Sequence, residues 1–181
     1  ISLSLYHHSL LYHLIILFST CKLNFTKLCI DKFLKKNYIL IGDIVVKNIV
    51  KDEKKLMIKS VPATKLDYKD AIDLADTLSF NKKICVGMAL NMIGISKAII
   101  AFFDEFDKIN IMYNPKIING KDEYLAKEGC LSLSGVREAK RFKKIKVQFY
   151  NEKFELRIKT FTGFTAQIIQ HEIDHINGII I

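Results

Sequence analysis

The chain has 181 residues, half of them hydrophobic and 26% charged, with a formal net charge of +9. That balance excludes a disordered chain and leaves room for one domain with a real core. The lysines are scattered, with no arginine-rich run, RNA-binding signature or zinc-finger spacing; solvated surface lysine is the better reading, DNA is not an expected partner, and an anionic, ribosome-proximal partner stays open.

Residues 1–44 are rich in Leu, Ile, Phe, Tyr, Ser and Lys, and the first methionine of the chain is Met57. The apolar run 10–18 has the character of a signal-peptide core, but no Lys or Arg precedes it and it is too short to span a bilayer, so no membrane association is expected. In-frame translation of upstream A/T-rich DNA fits better. Gly42-Asp43 can be encoded by GGAGAT, which is like a ribosome-binding site, and Val45 or Val46 by a GTG start codon. The expected organisation is a non-native or disordered extension over 1–44 and one functional domain over 45–181.

Residues 44–67 lead in, with a turn near Pro62 and Asp67 placed to cap the next element. In 68–80, Ala71, Ile72, Leu74, Ala75 and Leu78 recur at helical spacing. "SKAIIAFFD" (96–104) is a buried-strand run, and "INIMYNPKIIN" (109–119) reads as a strand broken at Pro115. "KKIKVQFYN" (143–151) and "KFELRIKTF" (153–161) alternate with period two, joined as a hairpin at Asn151-Glu152. A helix comes next over 162–177, with Ile168, Ile169, Ile173 and Ile176 on its apolar side and Gly178 as its stop. Strands succeeded by a late helix predict an α+β fold, with antiparallel strands packed around that helix. The four cysteines, Cys21, Cys29, Cys85 and Cys130, form no CxxC pair, so free thiols in a reducing, cytoplasmic compartment are expected.

The late helix carries "HEIDH" (171–175). Residues four apart share one helical face, so His171 and His175 can point at a common atom, and Glu172 lies within reach of a water there. This is the chemistry of two metal ligands with a general base. The competing reading is a pair of surface histidines. It loses weight because the chain has only five histidines, and the other three (His7, His8, His13) sit in the N-terminal extension. Such a centre wants a third ligand. Cys130, in "KEGCLSLSG" (127–135), is an inert thiol taken alone, but beside HEIDH it completes a soft site suited to Zn²⁺ or Fe²⁺.

"EGCLS" (128–132) and "QHEIDH" (170–175), in that order, resemble two of the three signature motifs of the peptide deformylase family. "CVGMALNMIG" (85–94) occupies the place of the third, a glycine-rich G-x-G-x-A-A-x-Q stretch, and the resemblance covers roughly residues 46–181. It implies that Cys130, His171 and His175 hold one divalent metal, typically Fe²⁺, with Zn²⁺ or Ni²⁺ as substitutes. Glu172 would be the general acid/base, the N–H of Leu131 a donor to a substrate carbonyl, and Gly87 and Gly129 sites of close backbone approach to substrate. The implied activity is removal of the formyl group from N-formylmethionine of nascent peptides. The implied enzyme is bacterial, cytoplasmic and monomeric, working near the ribosome exit region.

The first motif departs from the family pattern: Cys85 replaces its first glycine, Leu90 its second alanine, and Met92 the glutamine whose amide serves the formyl oxygen. Methionine has no donor, and losing one such donor costs on the order of 10²–10³ in rate. Asn91 has an amide, but neighbours on a strand point to opposite faces. The alternatives are therefore a non-catalytic metal-binding or ribosome-associated protein, or an amidohydrolase for another N-acyl peptide. An ordinary HExxH peptidase fits less well, because it takes its third ligand downstream of the motif. Among lesser expectations, Asp174 orients a ligand or pairs with a cation, with Arg137 or Arg141 as partner; Gln170 supports the site; Cys85 packs near the pocket; and Tyr150, Phe161 and Phe164 are core.

Overall fold

The computed structural model describes residues 44–181. The expectations for 1–44, including those for Cys21 and Cys29, lie outside the described residues apart from its last position. In chain order the elements are α1 (Glu53–Leu56), a 3-10 turn (Lys65–Asp67), α2 (Tyr68–Phe80), β1 (Gly87–Ala89), a 3-10 turn (Leu90–Ile93), β2 (Ile99–Phe103), β3 (Ile109–Gly129), β4 (Val136–Tyr150), β5 (Leu156–Thr162) and α3 (Gly163–Ile176). The five strands form one antiparallel sheet in sequence order. This is the α+β architecture the sequence predicts, with α3 packed on β1, β2, β4 and β5. Among the described residues no helix is long and apolar enough to cross a membrane.

The lead-in segment is tied to α2: the N–H of Val45 donates to Asp76, that of Lys47 to Thr77, and the Lys47 ammonium pairs with Asp73. The turn expected near Pro62 forms two residues on. There Thr64 and Asp67 cap each other, so the Asp67 carboxylate faces back to Thr64 instead of capping α2. In α2, Ala71, Leu74 and Leu78 are buried as predicted, but Ile72 is exposed. All of β2 is buried.

β3 does not break at Pro115. The strand continues, and a register shift between Tyr113 and Lys116 absorbs the proline's missing donor, with Asn114 in the left-handed region at φ 51°. The Asn114 side chain takes the N–H and serves the carbonyl of Ala63, so the irregularity is tied down. The hairpin between β4 and β5 turns over 151–155, longer than the expected two residues. It closes through Asn151 N–H to Glu155 and Phe154 N–H to Asn151, with Phe154 stacked on Tyr150.

α3 spans the predicted range, with Thr162 and Asn177 at its ends and Ile168, Ile169, Ile173 and Ile176 all buried. Gly178 comes after it at φ 75°, where a Cβ would stand 2.3 Å from the Met57 carbonyl oxygen; only glycine fits both demands.

Candidate metal centre

α3 presents its polar stripe to the loop that ends β3. Nε2 of His175 lies 3.2 Å from Sγ of Cys130 and 3.2 Å from Nε2 of His171. The three atoms lie within 4.8 Å of one another. Ligands at ~2.0–2.3 Å from one tetrahedral ion stand roughly 3.3–3.7 Å apart, so this donor set fits a divalent metal with little movement. The fold thus brings Cys130 to the two histidines, whose common face follows from their spacing of four on one helix.

The orientation of His171 has a visible cause. Its Nδ1 is 2.9 Å from Glu128, which leaves Nε2 facing the centre. Glu128 is held in turn by Arg141 through Nε at 2.9 Å and Nη2 at 2.8 Å, and Arg141 Nη1 reaches Asp174 at 2.7 Å. All four groups are largely buried. Asp174 thus pairs with a cation, and the partner is Arg141; Arg137 pairs instead with Glu53. Glu128 is the functional residue that motif spacing alone gives no role. Its sequence signal is an acid two residues before the candidate cysteine.

Burial works against the Glu128 carboxylate, but its bonds to His171 and Arg141 hold it at about 2, so it is ionised. Burial, followed by the neighbouring His171, pushes His175 down to about 3, which keeps its imidazole neutral, the form that can ligate a metal. Burial opposes a charged His171 as well, yet Cys130 and Glu128 lift it to about 10. A cation at the centre competes for the same Nε2, so its binding displaces that proton.

Glu172 is buried next to the ligands, and its Oε2 has no hydrogen-bond partner. Burial raises it to about 7. It owes its place to Gly87 on β1. A Cβ at Gly87 would stand 2.5 Å from Cγ2 of Ile168 and 2.7 Å from Oε1 of Glu172. Gly129 imposes no such demand, since a Cβ there meets only an ordinary contact, although it lines the same cavity.

That cavity, about 200 Å³, opens beside the centre and includes Leu131, Met92, Glu172 and His171 in its walls. Cys85 lines it too, with its thiol donating to the Gly87 carbonyl at 2.8 Å and pushed up to about 12 by burial, so it stays protonated. Phe164 corrects its expectation: it is 63% exposed and stands in the cavity wall, not the core. Phe161 and Tyr150 pack against the core from its edge. Gln170 supports the site by clamping the N–H and carbonyl of Phe142, each at 2.9 Å, which joins α3 to β4. Asn91 does not face the cavity. Its amide donates to the His175 carbonyl at 2.7 Å, while Met92 takes the cavity position.

A sulfur–imidazole–imidazole set, partly to fully buried, with an adjacent unpartnered carboxyl oxygen and beside a walled cavity, defines a metallohydrolase centre. Residues 46–181 match the family model described as polypeptide deformylase, and the chain belongs to that family. The peptide deformylase of Clostridium beijerinckii is 47% identical over 137 residues, which are 76% of this chain and 100% of that protein. The peptide deformylase of Carboxydothermus hydrogenoformans is 37% identical, over 77% of this chain and 86% of that protein. The Met-Ala-Ser-bound crystal structure of the class I type b peptide deformylase from Acinetobacter baumannii superposes with a TM-score of 0.67 at 28% identity, covering 75% of this chain and 96% of that one. The peptide deformylase structure from Thermotoga maritima gives a TM-score of 0.67 at 29% identity, covering 75% of this chain and 94% of that one.

Proposed function

We propose that the domain over residues 45–181 removes the formyl group from N-formylmethionine at the start of nascent peptides, giving formate and a free amine. The observation that carries this reading is the convergence of Cys130, His171 and His175 on one point, with the unpartnered Glu172 carboxylate beside it. Fe²⁺ is the proposed native ion, with Zn²⁺ or Ni²⁺ as substitutes; the one sulfur and two nitrogen donors suit all three. Bound there, such an ion would acidify a water toward a pKa of ~7 and polarise the formyl carbonyl.

The chain's own residues do the rest. Glu172 takes the proton of the attacking water and returns it to the leaving nitrogen. The N–H of Leu131 is the proposed donor to a substrate carbonyl, from the loop position directly after Cys130. Gly87 and Gly129 form backbone walls that a substrate can approach closely. Glu128, Arg141 and Asp174 hold His171 in its working orientation.

All three ligand atoms and Glu172 come from one chain, which supports action as a monomer. The thiols of Cys85 and Cys130 are free, which suits the cytoplasm, where formylated chains are made. Lys121, Lys144 and Lys146 crowd one shallow depression of the sheet, and Lys121 stands directly across from Lys144. Like charges placed so are costly unless an anion sits between them. This supports work close to the ribosomal RNA surface at the exit region.

The test is an anaerobic assay of the Fe²⁺-loaded protein on formyl-Met-Ala-Ser, with Glu172→Ala as control. Formate release is expected from the parent protein alone. A protein that holds one metal per chain and releases no formate would instead favour a metal-binding role.

A further inference from the structure

The sheet has one long free edge. β5 ends the strand order, with β4 on one side and no strand on the other among the described residues. About half of the backbone N–H and carbonyl groups of such a strand face the unpaired side. Proteins usually blunt an open edge with a proline, a bulge, a very short strand or a covering segment. Among the described residues β5 shows none of these. It runs seven residues without proline, all exposed except the half-buried Phe161, and its register with β4 is unbroken from Leu156 to Thr162. Leu156 and Ile158, two residues apart and so on one face of the strand, are each 50% exposed.

The other face of β5 borders a groove. Arg157, Lys159 and Phe161 lie directly across from Phe149, Val147 and Ile145, which places them on the core side of the sheet. There a cavity of about 240 Å³ is floored by Phe102, Phe149 and Phe161 and rimmed by Lys108, Lys153, Arg157 and Lys159. Glu152 is the one acid in its wall. Of the four cations only Arg157 has an ion-pair partner among the described residues, Glu155. This charge selects the occupant. Two β5 edges laid side by side would set Arg157 and Lys159 against the same cations of the second copy, and like charges facing across strands are destabilising. Residues 1–43 carry five lysines against two aspartates and match no better. Phosphates would satisfy the cations but neither the free amide edge nor Leu156 and Ile158. We propose that β5 and its groove form a docking edge for an extended, acidic segment of a partner protein, which adds to the sheet as a further strand. Its acidic side chains meet Arg157 and Lys159, and its alternate, apolar side chains cover Leu156 and Ile158. The edge is separate from the metal centre, since no residue of this groove lines the cavity beside the metal ligands.

The probe is a fluorescent peptide of alternating Glu and Val, about eight residues long to match a strand of this length, with alternating Lys and Val as its counterpart. Fluorescence anisotropy with the metal-loaded protein at low ionic strength is expected to show saturable binding of the Glu-Val peptide alone. The double variant Arg157→Glu/Lys159→Glu is expected to weaken it by about tenfold or more, with an unchanged circular dichroism spectrum. Peptides N-methylated at every Glu or at every Val separate strand pairing from simple charge attraction. One of the two sets of amides points at β5, and its methylation is expected to abolish binding. Binding that survives methylation of either set overturns the proposal, as does a peptide that fails to bind the parent protein. Octauridylate bound where the peptide is not would make the groove a nucleic-acid surface and overturn it too. So would a dimer, seen by sedimentation, that excludes the peptide.

Discussion

Glu128 lies 2.9 Å from Nδ1 of His171, in a bond that spans the end of β3 and the middle of α3. The same carboxylate receives two hydrogen bonds from Arg141, whose third is given to Asp174, one residue before His175. A single buried ion network therefore sets the direction of the His171 Nε2 and fixes the helix that carries both histidines.

Glu128→Gln keeps the shape of the side chain and removes its charge. Groups that orient a ligating histidine typically contribute 10- to 100-fold in metal affinity. A loss of that size is expected in a competitive chelator titration of the variant. Unchanged affinity would mean that His171 is held by packing alone.

Arg141→Met leaves the largely buried Asp174 without its cation and Glu128 with His171 as its one remaining partner. Breaking one partner of a buried network costs about 3–5 kcal/mol, expected as a lower urea midpoint. The same network makes stability depend on acid. Glu128 ionises at about 2 in the folded protein against 4.5 for a free glutamate, so its contribution is fully present above about 4.5 and is lost as pH falls through about 2. Unfolding free energies measured from pH 6 down to pH 2 are expected to fall less steeply in Glu128→Gln than in the parent.

Met92→Gln tests the position where the family pattern has an amide. Met92 lines the cavity, and its sulfur lies 3.4 Å from the Ala89 N–H, so it gives the substrate no donor. Asn91 cannot substitute, because its amide is engaged with the His175 carbonyl. The variant is expected to gain tenfold or more in kcat on formyl-Met peptides, within the 10²–10³ that one oxyanion donor supplies. No gain would show that another donor already serves the oxyanion.

Gly87→Ala places a methyl where Ile168 and Glu172 now stand, at 2.5 and 2.7 Å. The carboxylate has to move, while the three ligand atoms lie elsewhere. Activity is expected to fall by an order of magnitude or more, since ångström-scale misplacement of a reacting group costs ~10²-fold. Metal content by elemental analysis is expected to stay at the parent level. Loss of metal together with activity would place the damage in the centre itself.

The candidate metal centre was legible because its two histidines are four residues apart on one helix, where spacing is geometry. Cys130 emerged from the demand for a third ligand and from its motif. The network behind them was not legible. Glu128 and Arg141 meet only through the pairing of β3 with β4, and period-two alternation does not state which residue faces which. The direction of Asn91 was hidden for a different reason. Residues 90–93 form a 3-10 turn, not a strand, so neighbours diverge by about a third of a turn rather than alternating between two faces. Phe164 reads as core by type, yet stands at the rim of the cavity because the helix begins only one residue before it.

Burial raises the Glu172 carboxyl to about 7, so without a cation it is half protonated near neutrality. A base must be ionised to act, so activity falls as pH drops through its pKa. A divalent ion next to it favours the carboxylate and moves that pKa down. The kcat/KM profile of the metal-loaded enzyme is therefore expected to show an acid limb with its midpoint at or below about 7. Glu172→Gln is isosteric and cannot take the proton; its activity is expected to fall by about 10²–10⁴, with metal still bound. If the variant keeps most of its activity along the same acid limb, the limb belongs to another group and Glu172 is not the base.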